Sequence, residues 1–258
     1  RSPAAPRNFA LGIKEVIALE SGVINERFNL EGDEGAARLF VGEVTHGKFG
    51  GGFLYTNRES VSLGIVVGIE EAAEDSLPIE VPALLDAFKE RLEIAPLIRG
   101  GNTVEYSAHI IPEGGFKAIN NLCGNGILVA GDAAGLALNI GFTVRGMEFA
   151  LASGHFAAQA VMKAKQSGKF DAPTLSMYKR FLEESFVLKD LRNFQETPAV
   201  VGNPRFFNHY PELIGGIIKD VYSVPAGPKE RLYPTIRKHL TLPELWALFM
   251  DLKGVMKI

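Results

Sequence analysis

The sequence predicts an α+β fold, and three observations carry that prediction. The first 120 residues hold several short β-rich runs with one helical stretch among them. Four apolar residues, Ile127 to Ala130, then run straight into Gly131-Asp132 and a string of small residues. Beyond about residue 169 the texture turns helical, punctuated by prolines at 198, 204, 211, 225, 228, 234 and 243. The expected organisation is a mostly antiparallel sheet domain over 1–120, a strand–turn–helix segment over 121–168 and a helical region over 169–258.

Taken in order, Phe9 to Leu19 alternates loosely and is β-rich, so it reads as a strand. Val23 to Phe28 is a short polar connection with helical character, and Ala36 to Val44 reads as a second strand. Gly52 to Thr56 and Val61 to Ile69 flank the polar turn Asn57-Arg58-Glu59-Ser60, a strong hairpin signal. Val81 to Ile98 places Leu84, Leu85, Phe88, Leu92 and Ala95 at helical spacing. Val104 to Ile111 alternates as a strand, with Tyr106 and His109 in structural positions. After the central motif, helices are expected over Leu175–Phe194, Pro204–Tyr222, Pro228–Leu240 and Pro243–Met256.

The central stretch, ILVAGDAAGLALNIGFTVRGMEFALASGHFAAQAV, is the most informative. Ile127 to Ala130 reads as a buried strand that ends in a turn tight enough to need glycine. The aspartate then lies at a strand's carboxyl end, the usual ligand position in open α/β sheets. Asn139, Gly141 and Gly146 lead into a helix whose Met147, Ala150, Leu151, Gly154, Ala157, Ala158 and Val161 share one face. Their small size permits close approach to another layer. One carboxylate and several helix-start N–H groups suit a polyhydroxylated, anionic ligand. A tight turn before an ordinary core helix, with Asp132 as a solvated cap, is the competing reading. Arg145 is open to two roles, a charge beside the ligand or a partner for Glu148.

This pattern resembles the second flavin-binding motif of FAD oxidoreductases of the glutathione-reductase fold, in the branch of aromatic hydroxylases and geranylgeranyl reductases. The resemblance implies that Asp132, with Gly131 and Ala133 beside it, holds a ribitol hydroxyl of FAD. It implies further that Gly141, Phe142 and Thr143, after Asn139, face the isoalloxazine carbonyl edge at the helix start. The phrases FGGGFLYTN, SLGIVVGI, IAPLIRGG and EYSAHIIPEGGF, in that order before the GD turn, resemble electron-transfer flavoprotein:quinone oxidoreductases, above all the bacterial Fix-type form. That likeness runs from about Phe9 to the C-terminus, and it makes the chain part of an α/β FAD-binding fold.

In that family the sheet domain forms a quinone pocket, which would put backbone groups of Gly50 and Gly51 against the quinone. A glycine run does let a planar ligand approach the backbone closely. A β-bulge or hairpin distortion that needs glycine for itself is the alternative. The implied activity is FAD-dependent electron transfer from reduced electron-transfer flavoprotein to quinone. Two other readings are reduction of isoprenoid double bonds, as in geranylgeranyl reductases, and a non-catalytic half-flavoprotein that binds a partner. No side-chain nucleophile is expected to take part, because the flavin carries the chemistry.

Composition sets limits on these readings. Net charge −3 with no basic block argues against nucleic acid as a partner. A single cysteine, Cys123, excludes an internal disulfide and a cysteine-ligated iron–sulfur cluster within this chain, whereas mitochondrial members carry one. In the Fix-type arrangement a separate ferredoxin-like subunit would supply it. The G-x-G-x-x-G turn of such flavoproteins is not found, and the first residue is Arg1, so an N-terminal dinucleotide-binding segment is expected upstream. With no secretory signal and no long apolar run, the expected setting is cytoplasmic, at the inner face of the cell membrane if the quinone is reached there. The C-terminal segments PELIGGIIKDVY and PELWALFMDLKGVM are read either as an interfacial amphipathic surface or as helices packing on protein.

Overall fold

The computed structural model describes residues 5–73, 80–141 and 143–256. It is a mixed α/β structure in which the described residues form two compact units, 11–109 with 202–256 and 5–10 with 110–201.

The first unit is built on a five-stranded sheet in the order β2-β3-β4-β1-β5. Its strands are β1 (Phe9–Ala18), β2 (Ala37–Phe40), β3 (Gly50–Thr56), β4 (Ser60–Gly68) and β5 (Asn102–Pro112), with helix α1 (Ser21–Phe28) between β1 and β2. The expected hairpin forms with Thr56 opposite Val61. Its turn closes through Asn57 N–H to Ser60 O at 2.8 Å, and the Asn57 amide also donates to the hydroxyls of Ser60 and Ser62. β4 is central, so Val61, Leu63, Ile65 and Val67 are all fully buried. Burying each such side chain is worth about 1.5–3 kcal/mol.

Three expectations are corrected here. β2 stops at Phe40, four residues short of the expected Val44, because Gly42 (φ 102) and left-handed His46 turn the chain through a short 3-10 turn, Glu43–Thr45. The helix expected over 81–98 is two pieces, α3 (Val81–Glu90) and α4 (Ala95–Ile98), with α2 (Ile69–Ala72) before them. Arg91 is extended (ψ 144) and breaks the run. Leu92, assigned to the core by helical spacing, is therefore 90% exposed, and Ile94 is buried instead. In β5, Val104, Tyr106 and Ile110 are all exposed, so alternation there does not mark a buried face; the strand lies at the sheet edge.

The core of this unit packs α3 through Leu84, Leu85 and Phe88 onto Leu54, Leu63 and Ile65. A part-buried ion pair ties the same helix to the sheet: Lys89 Nζ lies 2.9 Å from Glu15 Oε1, and Thr103 donates to Glu15 Oε2. The unit is completed by α10 (His209–Tyr222), α11 (Leu232–Arg237) and α12 (Leu242–Val255). Arg205, His209 and Tyr210 meet Glu244 and Asp251 of α12. The opposite side of α12 leaves Leu245, Trp246, Phe249 and Leu252 exposed.

The second unit centres on one long helix, α5 (Met147–Ser167). It is preceded by two small hairpins, β6 (Cys123–Gly124) with β7 (Ile127–Leu128) and β8 (Leu138–Asn139) with β9 (Val144–Arg145). Helices α6 (Ala172–Leu175), α7 (Met177–Glu184), α8 (Phe186–Asn193) and α9 (Thr197–Val201) follow. The single amphipathic helix expected over 175–194 is thus split, and Ser185 caps α8 by accepting from Val187 N–H. The core joins Leu136, Leu138, Phe149, Tyr178, Leu182, Val187 and Leu191.

Two further corrections belong to this unit. Ile127 to Ala130 is not a buried strand: only Ile127–Leu128 pairs as a strand, with a two-residue partner, and Ile127 is 58% exposed. The face of α5 chosen by small size is also not the buried one. Phe149, Ser153, Ala160 and Ala164 face the core, while Met147, Leu151 and Val161 are exposed. Large aromatic residues, above all Phe149 against Leu138 and Tyr178, decide which side turns inward.

Candidate functional site

Gly131 opens a 3-10 turn, Gly131–Ala134, that Gly135 closes in a left-handed conformation. Gly131 itself has φ +58, and an added Cβ would lie 3.3 Å from Ala150 Cβ on α5. Both the backbone angle and the close helix therefore call for glycine. Its N–H donates to the buried Ser153 hydroxyl at 3.0 Å, which in turn donates to Ala150 O. Beneath the turn, Tyr178 OH donates to Val129 O at 3.0 Å. Burial pushes that phenol up to about 12, so it stays a donor at any working pH.

The turn carries Asp132 to the start of α5. A Cβ built on Gly146, the residue that begins the helix, would meet Asp132 Oδ1 at 3.9 Å. Asp132 is half-buried, Ala133 beside it is exposed, and the carboxylate sits at the positive end of a 21-residue helix. The sequence reading placed Gly146 ahead of the helix but missed Ser153, which holds the Gly131 N–H in place.

The second group of expected residues sits on the β8–β9 hairpin. Asn139 Oδ1 accepts from Gly141 N–H at 2.8 Å, and Ile140 N–H donates to Thr143 O at 3.0 Å. Gly141 (φ 90) and Thr143 are exposed at the hairpin turn. They therefore do not form the helix start, which comes only after Gly146. The Gly141 N–H, expected to face a ligand carbonyl, is engaged by Asn139. Phe142 lies outside the described residues.

Arg145, whose role the sequence left open, pairs with Glu148 (2.5 Å) and Asp190 (2.7 Å) and lies 4.7 Å over the Phe149 ring. Although burial opposes it, the Arg145 bond and the N–H groups of Glu148 and Gly146 hold the Glu148 carboxyl below its usual range. That carboxylate thus caps the first turn of α5.

A residue absent from the sequence-based list stands behind Asn139. Glu113 Oε2 accepts from Asn139 Nδ2 at 3.1 Å. Burial pushes the Glu113 carboxyl up to about 7, against the Asn139 bond, which pulls it down. Only its position in PEGGF, directly after a strand and before two glycines, hinted at it.

Gly50 and Gly51 belong to the other unit and lie within β3, opposite Val67 and Val66 of β4. A Cβ on Gly50 (φ +136) would come within 2.0 Å of Val66 O, and one on Gly51 within 2.4 Å of Phe40 O. The sheet itself accounts for both glycines. Among the described residues no helix is long and apolar enough to cross a membrane.

No family model matches the chain. It is 45% identical over 250 residues to the probable electron transfer flavoprotein-quinone oxidoreductase YdiS of Escherichia coli K12, covering 96% of this chain and 58% of that protein. To the protein FixC of Rhizobium meliloti it is 44% identical over 250 residues, covering 95% and 56%. The FixC of Escherichia coli K12 is 44% identical over 234 residues, 91% and 54% of the two. The chain thus spans a little over half the length of the curated relatives it matches. Among solved structures, the flavin-dependent halogenase CmlS is similar with a TM-score of 0.45 at 14% identity, over 95% of this chain and 46% of that one.

Proposed function

From the premise that this chain belongs to the family of YdiS and FixC, we propose that it serves FAD-dependent electron transfer from a reduced electron-transfer flavoprotein to a quinone. The observation that carries the proposal is Asp132, a half-buried carboxylate that a glycine-dependent turn holds at the start of α5.

The residues fit the ribityl part of FAD. Asp132 is an acceptor for a hydroxyl, and exposed Ala133 and side-chain-free Gly146 leave room for the chain to pass. Gly131, locked by Ser153, keeps the carboxylate from following solvent. Asn139, Gly141 and Thr143 offer a turn for the isoalloxazine edge. When bound, FAD supplies one- and two-electron redox chemistry, and the protein contributes placement and tuning. A ferredoxin-like subunit is a further partner in this reading. Quinone contact stays with Gly50 and Gly51 through their backbone. Since quinones reside in lipid, the exposed apolar side of α12 would lie at the inner face of the membrane.

The full-length protein, purified with its flavin, tests this directly. Stopped-flow mixing with reduced electron-transfer flavoprotein should bleach the flavin bands, and a short-chain quinone should restore them. A protein without flavin absorbance, or one reduced but not reoxidised by quinone, would remove the reading.

A further inference from the structure

Glu113, Asn139 and Gly141 form a relay from a half-buried carboxyl through an amide to a backbone N–H. Glu113 is anchored by its own N–H, which donates to Asn8 O at 2.7 Å. Its carboxylate accepts from Asn139 Nδ2, and the other end of the same amide accepts from Gly141 N–H. Gly141 holds φ +90, and that amide oxygen holds the turn together with the Ile140 N–H bond to Thr143 O.

Charged groups on the neighbouring segments have other partners. Lys117 pairs with Glu196 at 2.6 Å, and Arg192 lies over the Phe116 ring. Arg145 is taken by Glu148 and Asp190, and Arg7, next to Asn8, is exposed. The side-chain partner of Glu113 is the uncharged Asn139.

A carboxylate only accepts hydrogen bonds, so it fixes the Asn139 NH2 toward itself and the amide oxygen toward Gly141. A protonated carboxyl can donate, and the amide oxygen is the acceptor within reach. Turning the amide over would set its NH2 against the Gly141 N–H, donor against donor.

We propose that Glu113 is a positioning residue for the flavin loop: its carboxylate form holds the Asn139–Gly141 turn in the FAD-binding arrangement, and proton uptake turns the amide and loosens FAD. This rests on the reading that FAD lies against that turn. Desolvation pushes this carboxyl up to about 7, in the range where such control would operate. By linkage, FAD binding then expels the proton.

The test is titration of full-length apoprotein with FAD across pH 6 to 8, with calorimetry at pH 7 in two buffers of different ionisation enthalpy to count protons. The wild type should bind FAD about tenfold more weakly at pH 6 than at pH 8, the change expected for losing one charged hydrogen bond. It should also release a fraction of a proton on binding. Glu113→Gln should bind with one affinity throughout and release none. Asn139→Ala, with Glu113 intact, should also lose the pH step, and it serves if the first variant fails to fold. Wild-type affinity that is level with pH, or a step that persists in both variants, overturns the proposal while leaving FAD binding intact. Wild-type protein that takes up no FAD at any pH overturns the flavin reading and the proposal with it.

Discussion

Gly50–Gly52 and Gly131–Asp132 look alike in sequence, as glycines in apolar runs, yet the structure uses them oppositely. In the first, added Cβ atoms collide with Val66 O, Phe40 O and the Phe88 ring, so the glycines exist to let β2, β4 and α3 close in. In the second, glycine serves a left-handed turn that sets the next residue, half-buried Asp132, at the start of α5. Glycine alone therefore does not mark a ligand site. What distinguishes the two is what the glycine serves: the closing of a sheet in the first, and in the second a turn that presents a carboxylate at a helix start.

The sharpest way to break this comparison is Gly50→Ala. With φ +136 and a backbone oxygen 2.0 Å from the new Cβ, the variant should lose about 3 kcal/mol or more, read as a fall in the thermal unfolding midpoint. An unfolding curve like the wild type's would mean the sheet does not need that glycine.

Glu113 gives the next largest effect. Its folded-state value, about 7, lies above the ordinary 4.5 of a glutamate. The folded state therefore holds a proton that the unfolded state has released, and stability is present below pH 4.5 and lost as pH rises through 7. The loss is about 3 kcal/mol at most. Glu113→Gln should accordingly raise stability at pH 8 and leave it unchanged at pH 4, measured by denaturant unfolding at both. Equal curves at pH 8 would show that the carboxyl is not costly to bury.

Asp132→Ala should weaken FAD by roughly 1.5–3 kcal/mol, a tenfold to hundredfold rise in dissociation constant. Titration of full-length apoprotein measures it. A variant that is destabilised but binds FAD normally would return Asp132 to the role of turn residue. The smallest effect belongs to Tyr178→Phe, which removes the bond to Val129 O beneath the turn and should cost about 1 kcal/mol in chemical denaturation. No change would mean that the turn rests on Ser153 alone.

Much of this was legible in the sequence where a local pattern had one physical cause. The Gly52–Ile69 hairpin was read from alternation and a polar turn, and the tight Gly131 turn from glycine before a short polar residue. Leu92 was misjudged because helical spacing cannot sense that Arg91 turns extended. The buried side of α5 was misjudged because it is chosen by Phe149 packing with Tyr178 on α7, a contact between distant parts of the chain. Glu113 was missed for the same reason: a lone carboxylate has no periodicity, and its partner Asn139 lies on another element.

The chain contains one tryptophan, and it stands on the outer side of α12, 65% exposed and 6.0 Å from the Phe249 ring. Tryptophan emission from this chain is therefore a local signal, red-shifted in water and blind to repacking elsewhere unless α12 itself moves. Phospholipid vesicles or a partner protein covering that side would shift the emission to the blue, and a soluble quencher such as acrylamide would lose access to the indole in step. A single spectrum thus reports whether α12 is covered, with no label added and no side chain changed.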